Sequence, residues 1–538
     1  MSNNLILITA LYIRIIVEEI YTIYIMKSLH IYKVLQIFEY MFFIKINLFG
    51  ILALNYINHM KNWVHIIGIC GVTTSGLAVS FKKNGWIVTG SDKGFFPPVS
   101  EYLKKYDIKI LPGFKKERLT INGNHPNLVI YQGTKGRFNT EILEAKELNL
   151  NIQSYPEVLK DFLINKNKSI VITGSYGKTT TTAILVNILK YTNIKLSYMY
   201  GGLNPDFSPN IVFNPDSEMS VIEGDEYITS YQDMTSKFFH YKPTIVLLTG
   251  VVWDHADVFK TQNQYIENFK EFISTIPPNG CLVVNANDPN SVEIAKESKS
   301  NVIFYSSEQN KALVKPDWYL MYDSKPFPCV VKNLNGDSEL EIIPFERTVI
   351  GKINDQNILT AIVLARILNI KKVDIQKGIK EFKGIKRRME VRYKNISVTV
   401  IDDFGSTPAK ARQSLKNLKE DFPNTQKIII FEPSAGSRNL KALGSYENAF
   451  ENSDLVILPR FTSLSLDTKS ERFDEAELEK ILLKYKYNVE FINDDDFIIK
   501  YIVNLVKSHS NTTVLFMGSH SFRKIIPNLI EILKNGKE

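Results

Sequence analysis

The residues best suited by type and spacing to do chemistry lie in one run, Gly174-Ser175-Tyr176-Gly177-Lys178-Thr179-Thr180. It follows an apolar strand pattern, Ser169-Ile170-Val171-Ile172-Thr173, and precedes an apolar helix through Ala183, Leu185, Ile188 and Leu189. A strand, a glycine-rich loop, Lys-Thr and a helix are the context that a phosphate cradle requires. In such a cradle the loop amides hold the β-phosphate, Lys178 reaches the β- and γ-phosphates, and the Thr179 hydroxyl ligates Mg2+. The loop is two residues shorter than G-x-x-x-x-G-K-[ST], with Ile172 where the first glycine would stand.

Two polar clusters follow. The strand Ser220-Val221-Ile222 ends in Glu223-Gly224-Asp225-Glu226-Tyr227, and the strand Thr244–Gly250 closes on Trp253-Asp254-His255-Ala256-Asp257. Carboxylates at the C-terminal edge of a strand beside a phosphate loop are where Mg2+ is held. Taken singly, each cluster also reads as a helix cap or a solvated turn, and His255 as a buried core histidine. Their succession after one phosphate loop favours a shared site. Upstream, the strand Val64–Ile69, a helix Ser75–Lys83 and the strand Trp86–Thr89 form a β-turn-α-β unit that ends in Gly90-Ser91-Asp92. Its turn reads Gly68-x-x-Gly71-x-x-x-x-Gly76, too stretched for the G-x-G-x-x-G fingerprint. The physics of that fingerprint still applies, because glycines and a helix N-terminus both favour a phosphate. Asp92 is placed to accept hydrogen bonds from a ribose or sugar hydroxyl; a tight turn without a ligand is the alternative.

These motifs need a scaffold, and from Met60 onward strands alternate with helices, the pattern of an α/β protein. In the last third, Lys427–Phe431, Leu455–Leu458 and Thr513–Met517 are apolar strands between helices such as Ala409–Leu418 and Ala476–Tyr485. Polar loops follow several strand ends: Asp402-Asp403, Ser434 to Arg438, Arg460-Phe461-Thr462 and Gly518-Ser519-His520-Ser521. In a doubly wound sheet such ends face one crevice; the last two loops read equally well as solvated. The 538 residues correspond to three or four domains, and 44% hydrophobic with 23% charged residues is a globular balance. A net charge of +8 without a long basic block permits anionic ligands and gives no reason to expect nucleic acid. Cys70, Cys281 and Cys329 are too far apart for a disulfide framework or a zinc site, which suits a reducing cytoplasm.

Residues 1–59 stand apart, with no proline and only Gly50 as glycine. Of two apolar stretches, Leu5–Met26 carries Arg14, Glu18 and Glu19, each costing about 2.5–3.5 kcal/mol at a bilayer centre. The second, Met41–Ile57, is at the short limit for a span. An over-extended start, with Met60 as the true first residue, is the expectation; membrane contact would follow only from a translated 1–59 segment.

The short phosphate loop, the Glu223 cluster and Asp254-His255 together resemble the muramyl (Mur) ligases of peptidoglycan synthesis, over a stretch from about Trp63 to the C-terminus. The resemblance implies three α/β domains after the 1–59 extension. These are a Rossmann-like UDP-N-acetylmuramate-binding domain over 60–163, a central P-loop ATPase domain over 164–384, and a doubly wound Rossmann-like domain over 385–538 for an amino acid or peptide. Gly68, Gly71, Ser75, Gly76, Ser91 and Asp92 would then contact the UDP-sugar. Gly351-Lys352-Ile353-Asn354-Asp355-Gln356-Asn357 is similar to the family's N-x-x-N adenine contact, which implies Asn354 and Asn357 at ATP. Gly384–Glu390 and Ile401–Phe404 resemble the segments that join and open the third domain, which implies Arg388 and Asp402 near ATP and Asp403 near the acceptor. Lys178, Glu223 and His255 would be catalytic, with Thr179, Glu223 and His255 on metal, and Gly174 to Thr180 around ATP.

Within the branch that uses UDP-N-acetylmuramate, one kind of member adds L-alanine and another joins a preformed murein tripeptide of the L-Ala-γ-D-Glu-diaminopimelate type. Phe95–Ser100, Asp225-Glu226-Tyr227, Ser236–Tyr241 with Asp254–Phe259, and Phe431-Glu432-Pro433 resemble the tripeptide-using kind. Two departures concern the acceptor: Ser406-Thr407-Pro408 replaces the family's His-His-Pro, and Ser434 stands where an arginine follows Glu-Pro, with Arg438 four residues later. The resemblance implies ATP and Mg2+ as cofactors, an acyl-phosphate route, and a cytoplasmic monomer or dimer. A folylpolyglutamate-type ligase has no UDP-sugar domain before the loop, and the hundred residues before Ser169 disfavour it. A degenerate ligase without turnover is the remaining alternative.

Overall fold

A computed structural model describes residues 62–538 except 134–137, 165–167, 256–257, 323–326, 335–338, 463–471, 510 and 536–538. Of residues 1–61 it describes Arg14, Val17, Glu18, Ile20, Tyr21 and Tyr24; these six are helical, and Arg14 pairs with Glu18 at 3.0 Å. The expectations of a late start and of membrane contact lie outside the described residues. No helix among the described residues is long and apolar enough to cross a membrane.

Three sheets are built from Trp63 onward. The first contains β1 (Trp63–Ile67), β2 (Ile87–Asp92), β3 (Ile110–Pro112), β4 (Leu128–Tyr131) and β5 (Ile152–Ser154), all parallel in the order β3-β2-β1-β4-β5. The order reverses beside β1, and the crevice at such a switch point is where open α/β sheets bind ligands. The glycine turn and the helix Val72–Lys83 follow β1 at that place.

The central sheet has ten strands: β6 (Lys168–Thr173), β7 (Leu196–Met199), β8 (Ile211–Val212), β9 (Met219–Glu223), β10 (Ile245–Leu248), β11 (Cys281–Asn285), β12 (Asn301–Ser306), β13 (Trp318–Met321), β14 (Cys329–Leu334) and β15 (Glu339–Pro344). They run in the order β15-β14-β13-β12-β11-β10-β6-β9-β7-β8, with β8, β14 and β15 antiparallel to their neighbours. β6, β9 and β10 lie side by side, so Gly174, Glu223 and Gly250 emerge from the same edge. Ile170, Val171 and Ile172 of β6 are wholly buried, as an interior parallel strand covered on both faces requires.

The third sheet contains β16 (Glu390–Lys394), β17 (Val398–Asp403), β18 (Gln426–Glu432), β19 (Leu455–Pro459), β20 (Val489–Ile492) and β21 (Thr512–Gly518), in the order β16-β17-β21-β18-β19-β20. Only β16 is antiparallel. The apolar strands expected from sequence are all present, with ends shifted by up to three residues. The antiparallel additions β14, β15 and β16 carry mixed polar sequences and β8 is only two residues long, and all four take their place from the neighbour they pair with.

The first two sheets share one apolar core. Phe81 packs edge-on against Phe162 at 5.0 Å and against Phe213 at 5.2 Å, and Leu77 and Ile211 lie in the same cluster. The third sheet keeps separate cores on its two faces, one holding Ile430 and Phe516, the other Phe431 and Leu515.

Candidate active site

Gly174 and Gly177 both adopt positive φ, +117° and +77°, which an L side chain resists. A Cβ on Gly174 would strike Thr249 and the Gly250 carbonyl, and one on Gly177 would strike Asn357 Oδ1. The loop is thus clamped between the end of β10 and the helix Ile353–Ile367. Ser175 N donates to Gly250 O at 2.8 Å, and the Ser175 hydroxyl both donates to Val252 O (2.9 Å) and accepts from Val252 N (2.7 Å). Lys178 opens the helix Lys178–Leu189, and its ammonium donates to Gly174 O at 2.5 Å and to Glu226 Oε2 at 2.9 Å. Burial alone would push the Lys178 pKa down, but Glu226, Asp225 and Glu223 outweigh it and raise it above the ordinary value.

The acidic cluster divides its work. Glu223 accepts from the Thr179 hydroxyl at 2.8 Å and from Gly201 N at 2.6 Å. Glu226, 2% exposed, accepts from Lys178 and from the Tyr265 hydroxyl at 3.0 Å, and lies 3.7 Å from His255 Nε2. Asp225 is paired with Lys237 at 2.5 Å. Its burial would raise its pKa, and the attraction of Lys237 and Lys178 wins and holds it below the usual carboxylate value. His255 sits at φ +57°, with its backbone N–H on Asp254 Oδ1 at 2.7 Å and its ring edge-on to Tyr227 at 4.8 Å. Donor atoms of Asp225, Glu226 and His255 all lie within 4.8 Å of one another. Three carboxyl groups, Glu223, Asp225 and Glu226, here face the ammonium groups of Lys178 and Lys237.

Asn354 and Asn357 stand on the helix Ile353–Ile367, buried beneath the loop. Asn357 donates to Asn354 Oδ1 at 2.8 Å and accepts from the Thr181 hydroxyl at 3.3 Å. The third domain reaches this region too: Lys410 feels both Lys178 and Asp254, and Tyr176 feels Asp254 and Arg412. Lys410 has its pKa lowered, by burial first and by Arg388 second.

A cleft of about 730 Å3 joins the three sheets, lined by Gly68, Gly71 and Asp92, by Gly201–Leu203, and by Arg388, Phe404 and Ser519–Ser521. Gly68 has φ +79°, and Asp92 Oδ2 accepts from Cys70 N at 2.9 Å, which pins the glycine turn. Three expected sugar contacts, Ser91, Gly76 and Ser75, have neighbours within the fold. Ser91 is wholly buried, with its hydroxyl on Glu141, which also faces His65 at 3.5 Å. Gly76 is where the first helix meets the central sheet, since a Cβ there would reach Asn210 Oδ1 at 2.6 Å and Ile211 Cγ1 at 2.8 Å. Ser75 donates to Val72 O at 2.9 Å within its own helix.

In the third domain, Asp402 (2% exposed) accepts from Arg387 at 3.2 Å and from Arg392 at 3.1 Å. Arg387 also donates to Gly518 O (2.6 Å) and His520 O (2.9 Å), tying the segment after Gly384 to the end of β21. Arg388 lies over Phe404 at 5.4 Å on the cleft side. Asp403 accepts from the Ser414 hydroxyl at 2.6 Å. Arg438 is 5% exposed and fully engaged, donating to Glu432 Oε1 (3.0 Å), Pro433 O (3.0 Å) and Thr462 O (2.9 Å). The Ser434 and Ser437 hydroxyls pair at 3.1 Å beside it.

The sequence matches three family descriptions in succession: "Mur ligase family, catalytic domain" over residues 63–167, "Mur ligase middle domain" over 172–365, and "Mur ligase, glutamate ligase domain" over 387–520. It is 30% identical over 407 residues to a UDP-N-acetylmuramate–L-alanine ligase of Clostridium botulinum, covering 76% of this chain and 84% of that one. The chain belongs to the Mur ligase family. A second relative, the UDP-N-acetylmuramate–L-alanyl-gamma-D-glutamyl-meso-2,6-diaminoheptandioate ligase of Haemophilus influenzae, is 29% identical over 379 residues, 70% of this chain and 81% of that one. The crystal structure of a murein peptide ligase from Psychrobacter arcticus superposes with a TM-score of 0.66 at 24% identity, covering 88% of this chain and 99% of that one. This Mur ligase is therefore an ATP-dependent amide-forming enzyme of peptidoglycan synthesis, with the three-domain α/β architecture of its family.

Two residues of this Mur ligase escaped the sequence reading. Glu226, within the acidic run, is the carboxylate that meets both Lys178 and His255, whereas Glu223 meets Thr179. The acidic run and the Asp225-Glu226-Tyr227 resemblance both contained it, and neither gave it a role apart from Glu223. Lys410 lies two residues beyond the departure at Ser406-Thr407-Pro408, and only the approach of the third domain reveals it.

Proposed function

We propose that this Mur ligase joins the lactyl carboxylate of UDP-N-acetylmuramate to the amine of a murein peptide of the L-alanyl-γ-D-glutamyl-diaminopimelate type; L-alanine is the second candidate acceptor. The observation that carries the ligase chemistry is the Lys178 ammonium at the mouth of the phosphate loop, held by buried Glu226 opposite His255. The sugar nucleotide would lie in the three-domain cleft, its pyrophosphate on the Gly68–Gly71 turn and a hydroxyl on Asp92.

The lactyl carboxylate attacks the γ-phosphorus of ATP, ADP leaves, and the acyl phosphate remains. The amine then adds to the acyl carbon, and phosphate departs from the tetrahedral intermediate. Lys178 exchanges Glu226 for phosphoryl oxygens and stabilises the charge that develops there. Thr179, Glu223, Asp225, Glu226 and His255 offer hard oxygen and imidazole donors, those of Asp225, Glu226 and His255 within 4.8 Å of one another, a donor set that fits Mg2+. Bound there, the ion would neutralise phosphoryl charge. Asn354 and Asn357 support the loop from below, and Lys410 brings a further ammonium from the third domain. Arg388 and Phe404 help close the cleft against water, which would otherwise hydrolyse the acyl phosphate.

The deciding experiment incubates the enzyme with ATP, UDP-N-acetylmuramate and either L-alanine or the tripeptide, and reads the product by mass spectrometry. ADP release that does not need the sugar nucleotide overturns the substrate reading, and a product with L-alanine alone overturns the acceptor.

A further inference from the structure

A second cavity, of about 920 Å3, opens beside the three-domain cleft and shares Phe96–Pro98, Lys386, Arg387, Thr462 and His520 with its wall. One side belongs to the first domain, Phe96-Pro97-Pro98 and Glu101; the other belongs to the third, Arg460 to Thr462 and His520 to Asn528. Six lysines and arginines line it against three acids.

Most of those charges are already matched. Asp402 takes Arg387 and Arg392, Glu390 takes Lys386 at 3.6 Å, and Asp495 takes Arg523 through two bonds of 2.6 Å. Two cations facing the cavity are less fully matched, since Asp495, the acid nearest Arg460, is already held by Arg523. Arg460 has a side chain 55% exposed and only a 3.8 Å approach to Asp495, and Lys524 is exposed with no ion pair among the described residues. Glu101 is the acid across from them, on the first-domain wall.

Resting on the ligase reading above, we propose that this cavity seats the far end of the acceptor, with Arg460 and Lys524 as the residues that select a free carboxylate there. A small amino acid would react in the cleft and leave the second cavity empty, whereas an extended peptide acceptor with its amine at the reacting end would run into it. A carboxylate at that end gains charge-assisted hydrogen bonds from Arg460 and Lys524. The first domain, through Phe96–Pro98, walls the same end, so acceptor length is sensed by both outer domains at once.

The test measures ADP release with UDP-N-acetylmuramate and three acceptors: L-alanine, L-alanyl-γ-D-glutamyl-meso-diaminopimelate, and that peptide with its terminal carboxylates amidated. The wild type is expected to prefer the free acid over the amide by about tenfold or more in kcat/KM, the scale of one charged hydrogen bond. R460A/K524A is expected to shrink that preference to within about threefold by raising KM for the free acid, with KM for the sugar nucleotide unmoved. K524E alone is expected to invert the preference. Equal use of acid and amide by the wild type, or a preference that survives in R460A/K524A, overturns the inference. Turnover with L-alanine alone overturns it while leaving the ligase reading intact. No ADP release with any acceptor defeats the ligase reading itself.

Discussion

Replacing Lys178 by alanine tests the central geometry in two independent ways. The Lys178 side chain is 16% exposed and its partner Glu226 only 2%, so its removal leaves a buried carboxylate facing Tyr265 and His255 alone. Breaking a buried pair from one side costs about 3–5 kcal/mol of stability. The pKa of Lys178 is raised in the fold, so its contribution is complete below the ordinary value of 10.5 and is lost only at higher pH; melting at pH 7.5 reads all of it. The same ammonium is the only cation donating to the loop's own Gly174 carbonyl among the described residues, and its loss from the phosphoryl oxygens should cost about 4 kcal/mol of transition-state stabilisation, or about a thousandfold in rate. Lys178→Ala should therefore melt well below the wild type and release ADP about a thousandfold more slowly. Adding Glu226→Gln removes the stranded charge, so the double variant should regain more than half of the lost stability and none of the lost rate. A Lys178→Ala enzyme that ligates within tenfold of the wild type, or a double variant no more stable than the single, would refute the placement of Lys178 between Glu226 and ATP.

Gly177→Ala must hold φ near +77° and press on Asn357, so KM for ATP should rise at least about tenfold, measured by initial rates. The Asp225 pKa lies below the usual 3.8, so its charge stabilises the fold above that pH and the benefit fades as pH falls. Denaturant titrations of wild type and Asp225→Asn should differ by a constant amount between pH 5 and 8, and the difference should begin to shrink only as pH falls below about 4. Arg438→Ala strands Glu432, which is 0% exposed, and should cost about 3–5 kcal/mol in a chemical melt. A variant with unaltered stability and only a raised acceptor KM would instead make Arg438 a direct acceptor contact.

The amino-acid sequence by itself determined the features that depend on neighbours in the chain. A buried strand, a left-handed glycine turn and a helix that starts on Lys178 are local, so Gly174 to Thr180 could be read as a phosphate loop, and apolar runs located the strands that frame it. The succession of the Glu223 and Asp254-His255 clusters was legible for the same reason: both follow strands, and parallel strands end on one side of a sheet. What those clusters touch was decided by packing. Gly224 carries the chain beyond β9, so Glu226, not Glu223, arrives at Lys178 and His255. Gly76, Ser91 and Arg438 are polar or small in ways that suit a ligand. In the folded chain Gly76 makes room for Asn210 and Ile211, Ser91 satisfies Glu141, and Arg438 satisfies Glu432. No sequence spacing encodes such pairs, because each brings together residues dozens of positions apart or on different elements, and a buried polar group takes whichever partner the tertiary fold delivers.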